Sequence, residues 1–292
     1  MRYIDLHVHS TMSDGTLSPH EIVSLAVEKN LAAIALTDHD TISGVAEAME
    51  SAQQFNKQGI SIQVISGVEI SAAYRHSDIH ILGLYVDTTK EVLINRLAKA
   101  CSEREQRNKK MAANLCTAGL DITIEELRKY NGDAVLTRAH FASLLCKKGY
   151  VPDMKSAFTK YLSDKSPYFV PRNYISPEDA IALIRSAGGI PILAHPLLYK
   201  LSEKEVRSLV LQLKNSGLMG IEAIYSGNVS NDESFVRSLA KKYDLLISGG
   251  SDFHGSVKPK ISLGSGRGHL KVPETLLLPL ERSLLDLHKE EF

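Results

Sequence analysis

Short apolar runs and amphipathic stretches alternate along this chain from its first residues. Residues 3–8 read as a strand, and Ser18-Pro19-His20-Glu21 then supplies an N-cap, a proline at the first helical position and a capping-box acid. That predicts a helix to about residue 30, and so a first βα unit. Further strands are predicted at 32–36, 62–68, 79–86, 190–194, 219–224 and 245–248. Helices are predicted over about 43–58, from Ser176 to Gly188-Gly189, after the Ser202/Glu205 capping box, and over about 232–243. Helices separate nearly all of these strands, which predicts an α/β fold whose parallel sheet closes into a barrel. Between residues 91 and 173 the rhythm becomes helical, with a capping box at Thr123-Ile124-Glu125-Glu126. The expected organisation is a barrel domain over 1–90 and 174–292, interrupted by a helical insertion over 91–173.

Composition narrows the class. With 292 residues, 43% of them apolar, the chain can bury one large core plus one elaboration. Lys+Arg and Asp+Glu both number 34, so no global charge steers the protein to long nucleic acid or an anionic membrane. Any phosphate-binding charge must be local. Much of the basic charge lies in the insertion, Arg104, Arg107, Arg138 and Arg172 among it. The cysteines Cys101, Cys116 and Cys146 are far apart and form no paired motif, which argues against a disulfide framework or a zinc ribbon. No apolar signal segment opens the sequence, and no apolar run approaches the roughly 18 residues of a membrane span. A cytoplasmic protein with no membrane association and no obligate protein partner is expected.

Histidines and acids fall at the ends of the predicted strands. His7 and His9 are two apart in a strand, so both point to one face, and Asp5 extends that row. Asp14 follows in a Ser13-Asp14-Gly15 turn, and Asp38-His39-Asp40 follows the second strand. So many ionisable groups at strand ends are costly to desolvate unless a cation compensates. Glu69 ends the third strand, where a carboxylate can bridge two metals; His80 interrupts the apolar run Ile79-His80-Ile81-Leu82. His195 follows the fifth strand, and Asp252 and His254 follow the seventh, next to Gly249-Gly250, which would let backbone approach a ligand closely. A parallel barrel delivers all of these to one rim. Imidazole and carboxylate donors without thiolate suit Mn²⁺, Fe²⁺ or Zn²⁺.

The series DLHVHSTMSDGTLSP, ALTDHDT, GVEIS, IHILG, LAHP and GGSDFHG resembles the PHP family (polymerase and histidinol phosphatase) of amidohydrolase-like metallohydrolases, in the family's order from Asp5 to Gly255. The resemblance implies a distorted (β/α)7 barrel holding three divalent cations, with Mn²⁺ the first expectation. It implies that His7, His9, Glu69 and Asp252 hold the first metal, Glu69, His80 and His195 the second, and Asp14, His39 and His254 the third.

Such a site suits a phosphate ester, attacked in line by a hydroxide whose pKa the metals lower. Asp252, His195 or water are the candidates for protonating the leaving group. Asp5 and Asp40 are expected to orient ligating imidazoles. The insertion followed by LTRAHFA and SPYFVPRNYISPEDAIALIRSAGGIPILAHP looks like the PHP subgroup that removes the 3′-phosphate of nucleoside 3′,5′-bisphosphates, with relatives that trim short RNA from the 5′ end. Arg138, His140, Tyr168 and Arg172 are the expected substrate contacts, with Arg104 and Arg107 as further candidates; an arginine fork binds phosphate bidentately. The expected activity is hydrolysis of a nucleotide phosphomonoester. A 5′-to-3′ exonuclease on short RNA is the alternative, and a catalytically idle metal-binding module is the reading from outside enzymes.

Overall fold

A computed structural model of the chain describes residues 2–75, 77–171, 175–199 and 201–290. Seven strands lie side by side in chain order: β1 (Tyr3–Val8), β2 (Leu31–Leu36), β3 (Gln63–Tyr74), β4 (Ser77–Leu84), β5 (Ile190–Leu193), β6 (Gly220–Tyr225) and β7 (Leu246–Gly250). The two edges meet just past β7, where the Asp252 N–H donates to the His7 carbonyl at 2.9 Å and the His9 N–H to the Phe253 carbonyl at 3.0 Å. These bonds nearly close the sheet into the expected α/β barrel and bring the first and last histidine motifs together.

The sheet is not parallel throughout, which corrects the sequence expectation. β3 runs well beyond the predicted stop at residue 68, and β4 returns antiparallel to it and to β5. Only residues 75 and 76 separate β3 from β4, too few for the crossover that a parallel pair requires. The reversal has a direct consequence for the site. Glu69 pairs with Leu82 and Ser71 with His80, so Glu69 and His80 are diagonal neighbours on one face.

Helices α1 (Pro19–Glu28) and α2 (Val45–Lys57) cover β1 and β2, packing Ile22, Val23 and Ala48 on Val8, Ile34 and Leu36. α1 starts at the expected capping box, with Ser18 and Glu21 each satisfying the other's backbone N–H. The long segment before β5 forms α3 (Glu91–Thr117), α4 (Ile124–Asn131), α5 (Arg138–Lys147) and α6 (Met154–Ala157), the last running into a π-helical turn, Phe158–Leu162. These helices share an apolar cluster of their own around Met111, Leu115, Leu127, Phe141 and Leu145. The start of α3 instead places Leu93 and Leu97 in the barrel's cluster. Helices α7 (Pro177–Ser186), α8 (Glu203–Asn215) and α9 (Asp232–Lys242) cover β3 to β6 through Ile181, Ile184, Val206 and Val236, and α10 (Leu277–Glu290) seats Leu280 on the strands. Each such fully buried side chain contributes about 1.5–3 kcal/mol, and together they support the polar row at the rim. No helix among the described residues is long and apolar enough to cross a membrane.

Gly250 approaches β1 rather than a ligand: a Cβ there would lie 2.4 Å from His7 Cβ and 2.6 Å from the His7 nitrogen. Gly250→Ala is expected to destabilise the fold by about 1–3 kcal/mol, as overpacking does, and to displace His7. Urea denaturation and turnover measured together check this; wild-type values for both would refute it.

Candidate metal centre

The alternation of β1 turns His7 and His9 inward, and Glu69 of β3 meets both: its carboxylate oxygens lie 3.4 Å from His7 Nε2 and 3.2 Å from His9 Nε2. The same carboxylate lies 3.0 Å from His39 Nδ1, 2.8 Å from His80 Nδ1 and 3.1 Å from His195 Nε2. Five imidazoles from separate parts of the chain therefore converge on one acid. Asp252 Oδ1 is 3.5 Å from His9 Nε2 and 3.8 Å from His7 Nε2, and Asp14 Oδ1 is 3.3 Å from His254 Nε2 and 3.9 Å from His39 Nε2. Donor atoms lie within 4.8 Å of one another in each of three groups: His7, His9 and Glu69; His39, Glu69 and His80; and His9, Asp14, His39 and His254. His39 faces two of these groups and His9 two, so the groups share walls.

This arrangement fits metal ions. His7 Nε2, His9 Nε2, His39 Nδ1 and Asp14 Oδ1 are buried and make no well-aligned hydrogen bond among the described residues, although each lies near an opposite partner. Buried polar atoms are rarely left so, and cations held between the donors of these groups would satisfy them. Burial and the neighbouring His254 drive His9 towards its neutral form, and burial does the same for His80, the form in which imidazole ligates. Burial opposes charge on Glu69 and Asp14, yet the surrounding imidazoles hold both carboxyls well below the usual carboxylate range. The same acids push His39 up to about 9 against burial, and a bound cation would compete for that field.

Neighbouring contacts fix the donors. Glu222 of β6 accepts from His7 Nδ1 at 3.0 Å through one oxygen and from the His195 backbone N–H at 2.8 Å through the other. Thr137, at the start of α5, donates to Asp14 Oδ2 at 2.8 Å, and Asp38 accepts from the Ser10 and Ser13 hydroxyls at 2.6 Å each. Asp252 Oδ2 accepts from Tyr225 at 2.9 Å and pairs with Lys258 at 2.7 Å, and against burial Lys258 and the nearby imidazoles keep Asp252 ionised. Asp40, His195 and Asp252 all have positive φ, at 54°, 23° and 57°. Left-handed backbone at non-glycine residues costs free energy and clusters at functional sites.

Several expectations are corrected by these contacts. Asp5 orients no imidazole among the described residues; its carboxylate accepts from the backbone N–H groups of His7, Ser251 and Gly264 and from the Ser251 hydroxyl, tying β1 to the chain after β7. Burial raises its pKa to about 6. Asp40 pairs with Arg104 and accepts the Ser71 N–H. At His7 it is Glu222 that contacts the imidazole Nδ1, the role the sequence offered to Asp5. It sits in Ile221-Glu222-Ala223, an acid interrupting an apolar strand, which is the signal that singled out His80. Lys258, in a loop, carries no such signal.

A cavity of about 340 Å³ opens over the centre, its walls including His39, His80 and His254 together with Arg104, Arg107 and Arg138 of the inserted helices and Lys258. His140 is not in that wall: its Nδ1 accepts the Thr137 N–H and so caps α5. Tyr168 packs against the inserted helices' own cluster and Tyr161. Arg172 lies outside the described residues.

Comparison with known proteins agrees with this geometry. Residues 5–186 match the model of the PHP domain. The chain is 35% identical over 286 residues to a 3′,5′-nucleoside bisphosphate phosphatase of Chromobacterium violaceum, covering 97% of each chain. It is also 35% identical over 260 residues to the 5′-3′ exoribonuclease Rnm of Escherichia coli, covering 89% of this chain and 87% of that one. Among solved structures, an amidohydrolase from Chromobacterium violaceum with bound sulfate and no metal superposes with a TM-score of 0.86 at 32% identity, covering 98% of this chain and 96% of the other.

Proposed function

This chain belongs to the PHP domain family and is a metal-dependent phosphoesterase, and from that premise we propose that it removes the 3′-phosphate from nucleoside 3′,5′-bisphosphates such as adenosine 3′,5′-bisphosphate. The observation that carries the reading is one cavity walled by the imidazole and carboxylate cluster and also by Arg104, Arg107, Arg138 and Lys258. Such a cavity can hold the scissile phosphate at the cluster while a second phosphate meets guanidinium groups, which suit it geometrically. Similarity to a bisphosphate phosphatase over nearly the whole of both chains supports the same substrate.

In this reading His7, His9, Glu69 and Asp252 hold one divalent cation, Glu69, His80 and His195 a second, and Asp14, His39 and His254 a third, with Mn²⁺ expected. The cations supply Lewis-acid charge neutralisation and a nucleophile from water at neutral pH. The protein's own groups do the rest. Glu69, shared between groups, fixes their spacing, and Asp252, kept ionised against burial by Lys258 and the neighbouring imidazoles, serves as ligand rather than acid. The leaving-group proton then comes from His195 or solvent. The inserted helices act as a cap over the barrel rim and set which phosphate ester is accepted.

The similarity to an exoribonuclease favours a second reading, 5′-to-3′ trimming of short RNA. Turnover of adenosine 3′,5′-bisphosphate, 3′-AMP, 5′-AMP and a labelled 5′-phosphorylated pentanucleotide, each with Mn²⁺, separates the two. Preference for the bisphosphate is expected; stepwise mononucleotide release with no bisphosphate hydrolysis would overturn the first reading. Arg138→Ala is expected to lower the preference for the bisphosphate over 3′-AMP about tenfold, the worth of one charged hydrogen bond. An unchanged preference would show that Arg138 serves only its ion pairs with Asp78 and Asp164.

A further inference from the structure

The cavity has an apolar sector that phosphate chemistry does not use. Met154 and Phe158 lie one helical turn apart, at the start of α6 and the start of the π-helical turn that continues it, and both line the cavity with Val257 from the barrel side. Residues four apart share a helix face, so one helix presents both side chains to the same space. Phe158 is only partly buried and packs its remaining surface on the inserted helices' cluster. π-Helical turns are rare and recur at functional sites.

We infer that this sector, centred on the Phe158 ring, is the seat of the substrate's nucleobase. The inference rests on the nucleotide reading above and deepens it. A nucleoside bisphosphate has one face that demands cations and one that demands an apolar or aromatic surface, and this cavity supplies both. Unpaired bases stack readily on aromatic rings. The polar wall residues near by have partners already: Ser71 Oγ accepts from Arg104, Thr137 Oγ1 donates to Asp14, and Asp78 pairs with Arg138. The base is therefore held mainly by its ring face. Tyr168, the aromatic that the sequence offered for this role, packs elsewhere, and Phe158 takes its place.

The test compares kcat/KM for adenosine 3′,5′-bisphosphate with that for 1-deoxyribose 3,5-bisphosphate, which keeps both phosphates and lacks the base. Phe158→Leu, which keeps apolar volume without the ring, is expected to lower the ratio of the two about tenfold, and Phe158→Tyr is expected to retain it. A general loss of structure lowers both values together and cannot mimic the expected fall in the ratio, and a ratio at the wild-type value in Phe158→Leu, with turnover of the baseless bisphosphate retained, overturns the inference. If the wild-type protein hydrolyses neither bisphosphate, the proposed substrate is wrong. The same ratio is then read on a 5′-phosphorylated trinucleotide with and without its 5′-terminal base, and an unmoved ratio there overturns the base seat as well.

Discussion

Glu69→Gln is expected to lower kcat/KM by at least about a thousandfold, because metal-borne charge stabilisation is worth several kcal/mol and each 1.36 kcal/mol is about tenfold. The substitution is nearly isosteric, so packing is preserved while one negative charge disappears from among five imidazoles. Burial already disfavours charge at this position, and the surrounding imidazoles are what keep Glu69 ionised. Without it the His39 and His80 group loses its carboxylate among the described residues, and the His7 and His9 group is left with Asp252. Metal content after dialysis, measured by plasma emission, should fall together with turnover. The group around Asp14 retains its carboxylate and is expected to keep its ion. A variant with full metal content and wild-type turnover would defeat the assignment of Glu69 as the shared ligand.

The parts of this architecture that the sequence reveals are those where local signals coincide. Apolar runs bounded by capping boxes such as Ser18/Glu21 and Ser202/Glu205 mark βα units because the cap and the buried strand are both determined within a few residues. The reversal of β4 is less visible. The polar Glu69 interrupts the apolar run of β3, and the small residues Ser71, Ala72 and Ala73 extend the strand without a periodic signature. The donor residues stand out where a histidine occupies a position that burial would normally deny it, as at His7 and His80. Side chains whose direction is decided by tertiary packing do not stand out. His140 and Tyr168 carry suitable chemistry, but one is used as a helix cap and the other as core. Conversely, Lys258 reads as an ordinary loop lysine until the turn after β7 folds it back onto Asp252, six residues earlier.

Glu222→Gln is expected to lower metal affinity and turnover about 10- to 100-fold, the usual effect of removing a partner that orients a ligating imidazole. The reason lies in which atom carries a proton. The two Glu222 oxygens accept from different donors, His7 Nδ1 and the His195 backbone N–H. A carboxylate only accepts, so His7 must carry a proton on Nδ1, and its Nε2, which faces Glu69 and Asp252 at 3.4 and 3.8 Å, is the nitrogen left to ligate a cation. Glutamine has one accepting atom for these two donors. If its oxygen serves the His195 N–H, its NH₂ faces His7 Nδ1 and drives the proton to Nε2, which removes the ligand. If the amide is turned over, a buried backbone N–H meets an NH₂ and is left unsatisfied, at a cost of about 1–3 kcal/mol. Both orientations weaken the same donor group, so activity is expected to recover as added Mn²⁺ is raised. Competition titration against a chelator, alongside turnover at increasing Mn²⁺, checks this. Unchanged affinity would mean that Glu222 supports only the chain at His195, whereas a loss that no metal concentration restores would mean that it supports the barrel itself.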